Sequence, residues 1–161
     1  MMSYLRCKSR DNARTPMQWE KGPAAGFSDG VPWISVNPNY SEINANKELA
    51  DENSVFHYYR KLIRLRKNYK IIVYGNYQLI MKDDIRIFAY IRNLGTEKLL
   101  VLCNFSNDEA EFSSPEDFKG VEAECLIYNY DCPPDLRQGR LRPYEAAVYY
   151  MQKENNLNGE I

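Results

Sequence analysis

The hydrophobic period of the sequence changes near residue 71, and this change constrains the fold most. Before it, apolar side chains recur every three to four positions behind a serine that can cap a helix. After it, apolar and polar residues alternate with a period of two. The helical stripe consists of Val55, Phe56, Tyr59, Leu62, Ile63 and Leu65. We therefore predict a helix that begins after Ser54 and a β region that follows it.

The β region contains seven short strand-like runs. They cover residues 71–74, 77–81, 85–92, 98–104, 111–112, 123–128 and 146–151. Turn-forming residues separate several of them, at Gly75-Asn76, Asp83-Asp84 and Asn93-Leu94-Gly95. Short strands with turns about every ten residues are typical of antiparallel sandwiches and barrels. We predict a mainly β chain that ends in an antiparallel β-sandwich with Greek-key-like connections.

A long loop is predicted ahead of the helix. Residues 20–53 are rich in Gly, Pro, Asn, Ser and Asp, with one helical turn expected at residues 43–50. A compact independent domain rarely carries such a loop unless the loop lines a site. The segment therefore indicates a connection to something larger than a free β domain.

Charge and hydropathy exclude several classes of partner. The formal net charge is −1, so no overall field attracts nucleic acid or an anionic membrane. The basic residues of the helix, among them Arg60, Lys61, Arg64 and Lys67, are interpreted as a solvated face. No apolar run is long enough to span a bilayer, and the first ten residues lack the apolar core of a signal peptide. We expect a cytoplasmic protein with no nucleic-acid or membrane partner.

The cysteine and histidine content argues against a metal site. The four cysteines form no C-x-x-C pair, and His57 is the single histidine. Cys103 and Cys125 fall in strand-like runs, so we predict buried free thiols. We expect no metal ion and no cofactor.

No catalytic residue is predicted in this chain. Glycoside hydrolysis needs two carboxyl groups facing each other, roughly 5 Å apart for retention of configuration. The acidic residues of the β region fall mostly in turns or on exposed strand positions, and His57 lacks a second histidine. Those acidic residues include Asp83, Asp84, Asp108, Glu109, Glu116, Asp117, Glu122 and Glu124.

The segment SRDNARTPMQWE, residues 9–20, combines large polar and large apolar side chains. An arginine can hold a carboxylate through two parallel hydrogen bonds, and such a pair can bind sugar hydroxyls. Arg10, Asp11 and Arg14 are the candidates for substrate binding. A buried salt bridge that fastens the end of a strand explains the same residues equally well.

Three segments carry a resemblance to a known family. SRDNARTPMQW, GFSDGVPWISVNPNY and SVFHYYRKLIRLRK together resemble the C-terminal part of oligo-1,6-glucosidase-type α-glucosidases, within the α-amylase family of glycoside hydrolases. The similarity runs from about residue 9 to 153, and the first segment is its most specific part.

The resemblance implies a domain layout. Residues 1–70 would be the remnant of an incomplete (β/α)₈ catalytic barrel, with its last strand at residues 10–19, the long loop and the last helix. Residues 71–153 would be the C-terminal antiparallel β domain, and residues 154–161 a flexible tail. Arg14 matches the family arginine that, paired with an aspartate from an early barrel loop, grips the non-reducing-end glucose.

The resemblance also implies a function and leaves an alternative. The parent enzyme would be a retaining α-glucosidase acting on α-1,6 or related bonds of short gluco-oligosaccharides. The motifs that carry the catalytic carboxylates of the family do not occur in this sequence, so the fragment alone would be inactive. Its β domain would stabilise the missing barrel portion. Self-association through surfaces left without barrel neighbours is also expected. The alternative is a stand-alone β module that binds a glycan, through exposed aromatics such as Trp33, or a partner protein.

Overall fold

The computed structural model describes residues 13–152, which divide into two compact units between Arg60 and Lys61. The helices are α1 (Ala45–Ala50), α2 (Val55–Asn68) and α3 (Ile71–Tyr74). The strands are β1 (Asn76–Ile80), β2 (Ile87–Leu94), β3 (Glu97–Asn104), β4 (Ala110–Glu111), β5 (Glu124–Tyr128), β6 (Arg140–Leu141) and β7 (Ala146–Gln152). Short 3₁₀ turns occupy Pro23–Gly26, Pro38–Ser41 and Glu116–Phe118.

The strand predicted at residues 10–19 is not formed by the residues that the structure describes. Residues 14–20 have no regular secondary structure. The backbone of Gln18 and Trp19 bonds instead to the loop that follows, through Ala25, Ala45 and Asn46. A strand exists through ladder hydrogen bonds to a neighbouring strand, and this unit supplies none within its described part.

The helix predicted after Ser54 is confirmed as α2. The Ser54 hydroxyl accepts a hydrogen bond from the backbone N–H of His57 at 3.4 Å, and the Ser54 carbonyl accepts one from Tyr58 at 3.1 Å. Ser54 is thus the N-cap of the helix. The helical turn expected at residues 43–50 is also confirmed, as α1.

The strand predicted at residues 71–74 is wrong, because these residues form the helix α3. The sequence Ile-Ile-Val-Tyr has strong strand propensity. However, backbone N–H groups of Ile72, Val73 and Tyr74 bond back to Tyr69 and Lys70, continuing the turn that ends α2. Ile71 is fully buried, so tertiary packing overrides the local preference.

Gly75 ends α3 where no other residue fits. A Cβ atom at this position would lie 2.6 Å from the carbonyl oxygen of Ile71, which is far inside contact distance. The backbone N–H of Gly75 also donates to that same carbonyl. The absent side chain therefore lets the chain leave the helix and enter β1 directly.

The other six predicted strands are confirmed, with ends shifted by one or two residues. Five of them form an antiparallel sheet in the order β1-β2-β3-β7-β5, and the sixth, β4, pairs with β6 in a two-stranded ribbon. The strand β7 lies between β3 and β5, so the order of strands in the sheet departs from their order in the sequence. The strand β6 is not among the predicted strands.

The five-stranded sheet buries side chains on both faces. One face, here called the ribbon face, carries Ile87, Ala89, Leu100 and Leu102 against Ala110, Phe112, Phe118 and Leu141. The opposite face, here called the helix face, carries Leu99, Val101 and Leu126 against Leu65, Tyr69 and Ile71. Since β3 is central, its residues 99–102 are all buried.

Two buried polar side chains fix the loops at one end of the sheet. Asn104 donates to the carbonyls of Asp108 and Arg142 at 2.8 and 2.9 Å, and its side-chain oxygen accepts from Ser106. Glu145 is buried and accepts hydrogen bonds from the backbone and the guanidinium of Arg142. These bonds satisfy groups that would otherwise destabilise the interior.

Arg92 joins the helical segment to the sheet. Its guanidinium donates to the carbonyls of Ile71 at 3.1 Å, Val73 at 3.4 Å and Gly75 at 2.7 Å. The carbonyls of Val73 and Gly75 lie at the C-terminal end of α3, and that of Ile71 also accepts from the backbone N–H of Gly75. A positive charge there is also favoured by the helix dipole.

Replacing Arg92→Met is expected to lower the free energy of unfolding by about 1.5–3 kcal/mol, the range for hydrogen bonds that involve a charged group. The exposed Arg137→Met is the matched control and should leave that free energy unchanged. Urea denaturation followed by circular dichroism measures both. Equal stability of the two variants would show that the bonds of Arg92 do not hold α3 to the sheet.

A second prediction concerns alkaline pH. Burial first, and then the hydrogen bond to Glu97 at 2.7 Å, raise the pKa of Tyr150 from 10.0 to about 12. The protonated phenol is therefore favoured by the fold, and its stabilising effect is complete below pH 10 and lost as the pH rises towards 12.

We expect the urea midpoint to fall between pH 10 and 12, and to fall less steeply in Tyr150→Phe. Some dependence should remain in that variant, since burial also raises the pKa of Tyr149 and Tyr90. The exposed Tyr74→Phe is the control and should keep the wild-type slope. An unchanged slope in Tyr150→Phe would contradict the assignment.

Candidate functional site

Of the three residues predicted to bind substrate, the structure describes only Arg14. Its side chain is exposed, and within residues 13–152 it has no hydrogen-bond or ion-pair partner. Arg10 and Asp11 lie outside the described residues. The two interpretations of this group, sugar binding and a buried salt bridge, therefore both stay predictions.

Gln18 and Trp19 fasten the loop that follows Arg14. The side-chain amide of Gln18 donates to Asn39 Oδ1 at 3.0 Å and to the carbonyl of Ile43 at 2.6 Å. The carbonyls of Gln18 and Trp19 accept from the first two backbone N–H groups of α1, at 2.9 and 3.0 Å. Four hydrogen bonds from this short segment thus determine where the loop and α1 lie.

The turn Pro23–Gly26 adopts an unusual backbone conformation. Ala24 and Ala25 have φ angles of 48° and 55°, in the left-handed region that residues with a Cβ seldom adopt. The carbonyl of Ala25 compensates by accepting from the N–H groups of Trp19 and Glu20 at 2.9 and 3.1 Å. Such strained positions persist where surrounding contacts define the structure, and they are frequent beside binding sites.

Asn44 completes the hydrogen bonding of the loop. Its side-chain oxygen accepts from the backbone of Lys47 at 3.1 Å and so caps α1, while its amide donates to the carbonyl of Tyr40 at 2.9 Å. The side chain is buried, in contrast to most of its neighbours. The segment predicted only as a long loop is therefore a specifically bonded structure.

Large apolar side chains of the same unit are exposed to solvent. Trp33 is 92% exposed and Val31 is 99% exposed, both beyond the turn in which Ser28 accepts from the N–H of Gly30. Met17, Trp19 and Phe27 are about half exposed. Indole rings combine an apolar face with a polar N–H, a combination suited to contact surfaces. Sequence reasoning named Trp33 only for the alternative β module, since exposure cannot be read from residue type.

The described residues contain no evident acid–base pair. The backbone N–H of Arg86, and then its guanidinium, lower the pKa of Asp84, so this carboxyl is held ionised and is a poor general acid. Glu145 is bound to Arg142, and His57 Nε2 lies 3.1 Å from the carbonyl of Leu49. Over residues 13–152 no three His, Cys, Asp or Glu side chains group as metal ligands do.

Cys103 and Cys125 are free thiols, as predicted, but their predicted burial is incomplete. Cys103 and Cys125 are partly buried, and burial raises the pKa of both thiols. Cys132 is exposed. Partly buried thiols with raised pKa values react slowly and fit a packing role.

Between residues 13 and 152, every helix is too short or too polar to cross a bilayer.

Two family models match the chain. Residues 1–75 match the catalytic domain of alpha amylase, and residues 87–148 match the C-terminal domain of the alpha-amylase SusG. The first match ends at Gly75, where α3 gives way to the sheet.

Curated relatives and solved structures agree with these models. The chain is 50% identical to an oligo-1,6-glucosidase of Bacillus cereus and 49% identical to a trehalose-6-phosphate hydrolase of Bacillus subtilis, each over 153 residues. Each alignment covers 94% of this chain and 27% of the relative. The trehalose-6-phosphate hydrolase structure of Bacillus licheniformis superposes with a TM-score of 0.85 at 46% identity, over 94% of this chain and 28% of the other.

The chain thus spans about a quarter of the length of the relatives it matches. Its helices α2 and α3 fall within the part matched by a catalytic domain, and β2 to β5 within the part matched by a C-terminal domain. Identity near one half over nearly the whole chain, together with both models, shows that the chain belongs to the α-amylase family.

Proposed function

We propose that the chain is the C-terminal portion of a retaining α-glucosidase that acts on α-1,6 or related α-glucosidic bonds of short oligosaccharides. The observation that carries the proposal is the exposed Arg14 beside the fixed Gln18–Trp19 segment. That segment lies in the part matched by the alpha-amylase catalytic domain. The oligo-1,6-glucosidase similarity supports the substrate class.

In this proposal Arg14 binds the glucose at the non-reducing end. Its guanidinium is exposed and has no partner among the described residues, so its five N–H donors are available for a carboxylate and for sugar hydroxyls. The partner aspartate belongs to the missing part of the barrel. Arg10 and Asp11, in the same sequence segment, are the further substrate-binding residues of the proposal.

The chain by itself supplies binding and support but no catalytic carboxylate. Residues 1–70 act as the end of the barrel, and residues 71–153 as a β domain that stabilises it. Asp84 is held ionised and Glu145 is bound to Arg142, which supports a structural role for both carboxylates and not a catalytic one. The free thiols are compatible with a reducing compartment, which supports a cytoplasmic location.

The isolated chain is expected to release no glucose. The measurement is the hydrolysis of p-nitrophenyl α-glucoside and isomaltose at high protein concentration. A full retaining α-glucosidase such as the proposed parent provides the positive control. Turnover that disappears on mutation of a residue of this chain would contradict the claim that its catalytic carboxylates lie elsewhere.

Activity is expected when the chain is co-expressed with the part of the Bacillus cereus oligo-1,6-glucosidase outside the matched residues. In that pair, Arg14→Lys should lower kcat/KM for isomaltose by about ten- to a hundredfold, because a forked charged contact to sugar and carboxylate is lost. Arg137→Lys, exposed in the other unit, is the control. Equal kcat/KM for the two variants would remove Arg14 from the site.

A further inference from the structure

The dipeptide Asp29-Gly30 is the single place in the sequence where glycine follows aspartate. In such a pair the backbone nitrogen of the glycine can attack the aspartate side chain, because no Cβ atom hinders its approach. Every other aspartate of the chain is followed by a larger residue. The sequence thus singles out Asp29 for a reaction between its side chain and the backbone.

The structure leaves this dipeptide open to water. Ser28, Asp29 and Gly30 are all exposed, in a stretch without regular secondary structure. The nearest atom that a Cβ on Gly30 would meet is Ser28 Oγ, at 3.8 Å. Loops of this kind are more mobile than the helices and strands they connect. The space around the Gly30 nitrogen is therefore free of packed neighbours, and the backbone can change conformation there.

The carboxylate of Asp29 has no hydrogen-bond or ion-pair partner in the described part of the chain. Carboxylates of other loop aspartates are held in place. Asp51 Oδ1 accepts from the backbone N–H of Asn53 at 2.9 Å, and Asp135 Oδ1 accepts from that of Arg137 at 2.8 Å. A carboxyl group without such bonds can rotate towards the backbone nitrogen that follows it.

A single exposed contact holds the nitrogen that would react. The backbone N–H of Gly30 donates to Ser28 Oγ at 3.1 Å. This is the one hydrogen bond that the backbone of residues 28–36 makes with other described residues. Water can replace an exposed bond of this kind at little net cost. Local opening of the loop is therefore enough to free the nitrogen, and the rest of the chain can stay folded.

We propose that Asp29 is a site of spontaneous isomerisation to isoaspartate. The Gly30 nitrogen attacks Cγ of Asp29 and loses its proton, and one carboxyl oxygen leaves as water. The product is a five-membered succinimide ring. Water then adds to one of the two ring carbonyls. Cleavage of the new N–Cγ bond restores aspartate, whereas cleavage of the original peptide bond gives isoaspartate.

The reaction needs only this chain and water, so it is independent of the proposed function. Isomerisation brings the side-chain methylene of Asp29 into the main chain and moves the free carboxylate to Cα. The hydrogen bonds of Ala25 and Asn39, on either side of the loop 27–36, are not involved. The change is therefore confined to the loop that presents the exposed Trp33.

The test is ageing of the folded chain in buffer, followed by digestion with a protease that cleaves before aspartate but not before isoaspartate. We expect cleavage between Ser28 and Asp29 to be lost progressively, without a change in mass, while cleavage before Asp51 and Asp135 persists. The aged chain should also accept a methyl group from S-adenosylmethionine when a protein isoaspartate methyltransferase is added. Undiminished cleavage before Asp29 would overturn the proposal.

Two variants identify the reacting atoms. Gly30→Val should slow the loss of cleavage several-fold, because a β-branched side chain hinders attack by its own backbone nitrogen. The backbone of Gly30 is outside the left-handed region and has room for a side chain, so the fold accepts this change. The exposed Asp131→Glu is the control and should react at the wild-type rate. Equal rates for Gly30→Val and the control would show that the Gly30 nitrogen is not the attacking group.

The dipeptide Asn158-Gly159 provides an internal positive control. Asparagine forms the same ring with loss of ammonia, which changes the mass of the product and is detected in the same digest. If Asn158 has reacted and Asp29 has not, the proposal is wrong. Circular dichroism shows whether the aged chain is still folded. Isoaspartate that forms at Asp29 only after urea has unfolded the chain would equally contradict the proposal.

Discussion

The packing of the α2–α3 segment on the helix face of the sheet is the contact on which most of the structure depends. Leu65, Tyr69 and Ile71 cover Leu99, Val101 and Leu126, and so bury the second face of the central strand β3. Without this cover, β3 would expose apolar residues that alternate with those of the ribbon face. The guanidinium of Arg92 also fixes the position of α3 on the sheet, because it donates hydrogen bonds to the carbonyls of Ile71 and Gly75.

This contact joins residues of the two family matches. The catalytic-domain match ends at Gly75, immediately after the helical residues that pack on the sheet. Two segments that belong to different domain models are therefore parts of one hydrophobic core. Beside this core, the partly exposed rings of Phe88 and Phe105 lie with their centroids 6.4 Å apart.

Much of the fold could be predicted from the sequence, since period and capping are local signals. The alternation of apolar residues located β2, β3 and β7, and Ser54 located the start of α2. The sequence Ile-Ile-Val-Tyr gave a wrong strand prediction at residues 71–74. Burial of Ile71 and backbone hydrogen bonds to the preceding residues hold this segment in a helix. Strand β6 is defined by its partner β4 and not by its two residues.

The candidate site was less predictable, because it too depends on contacts between residues that are distant in the sequence. Arg14 was named from residue type and resemblance, and its exposure became visible only in the structure. The contacts of Gln18 with Asn39 and Ile43 join residues more than twenty positions apart, and no local pattern encodes them. The left-handed backbone conformation of Ala24 and Ala25 could not be predicted either, because alanine is not a residue type that favours it.

Native-state hydrogen exchange of the isolated chain tests the central claim most directly. The measurement compares amides in the second half of α2, such as Leu65 and Tyr69, with those of β3, such as Leu100 and Leu102. If the helical segment and the sheet form one core, both sets should open with the same free energy and the same dependence on denaturant. Exchange of the α2 amides at much lower free energy than β3 would show that the sheet folds without the helix and would contradict the account.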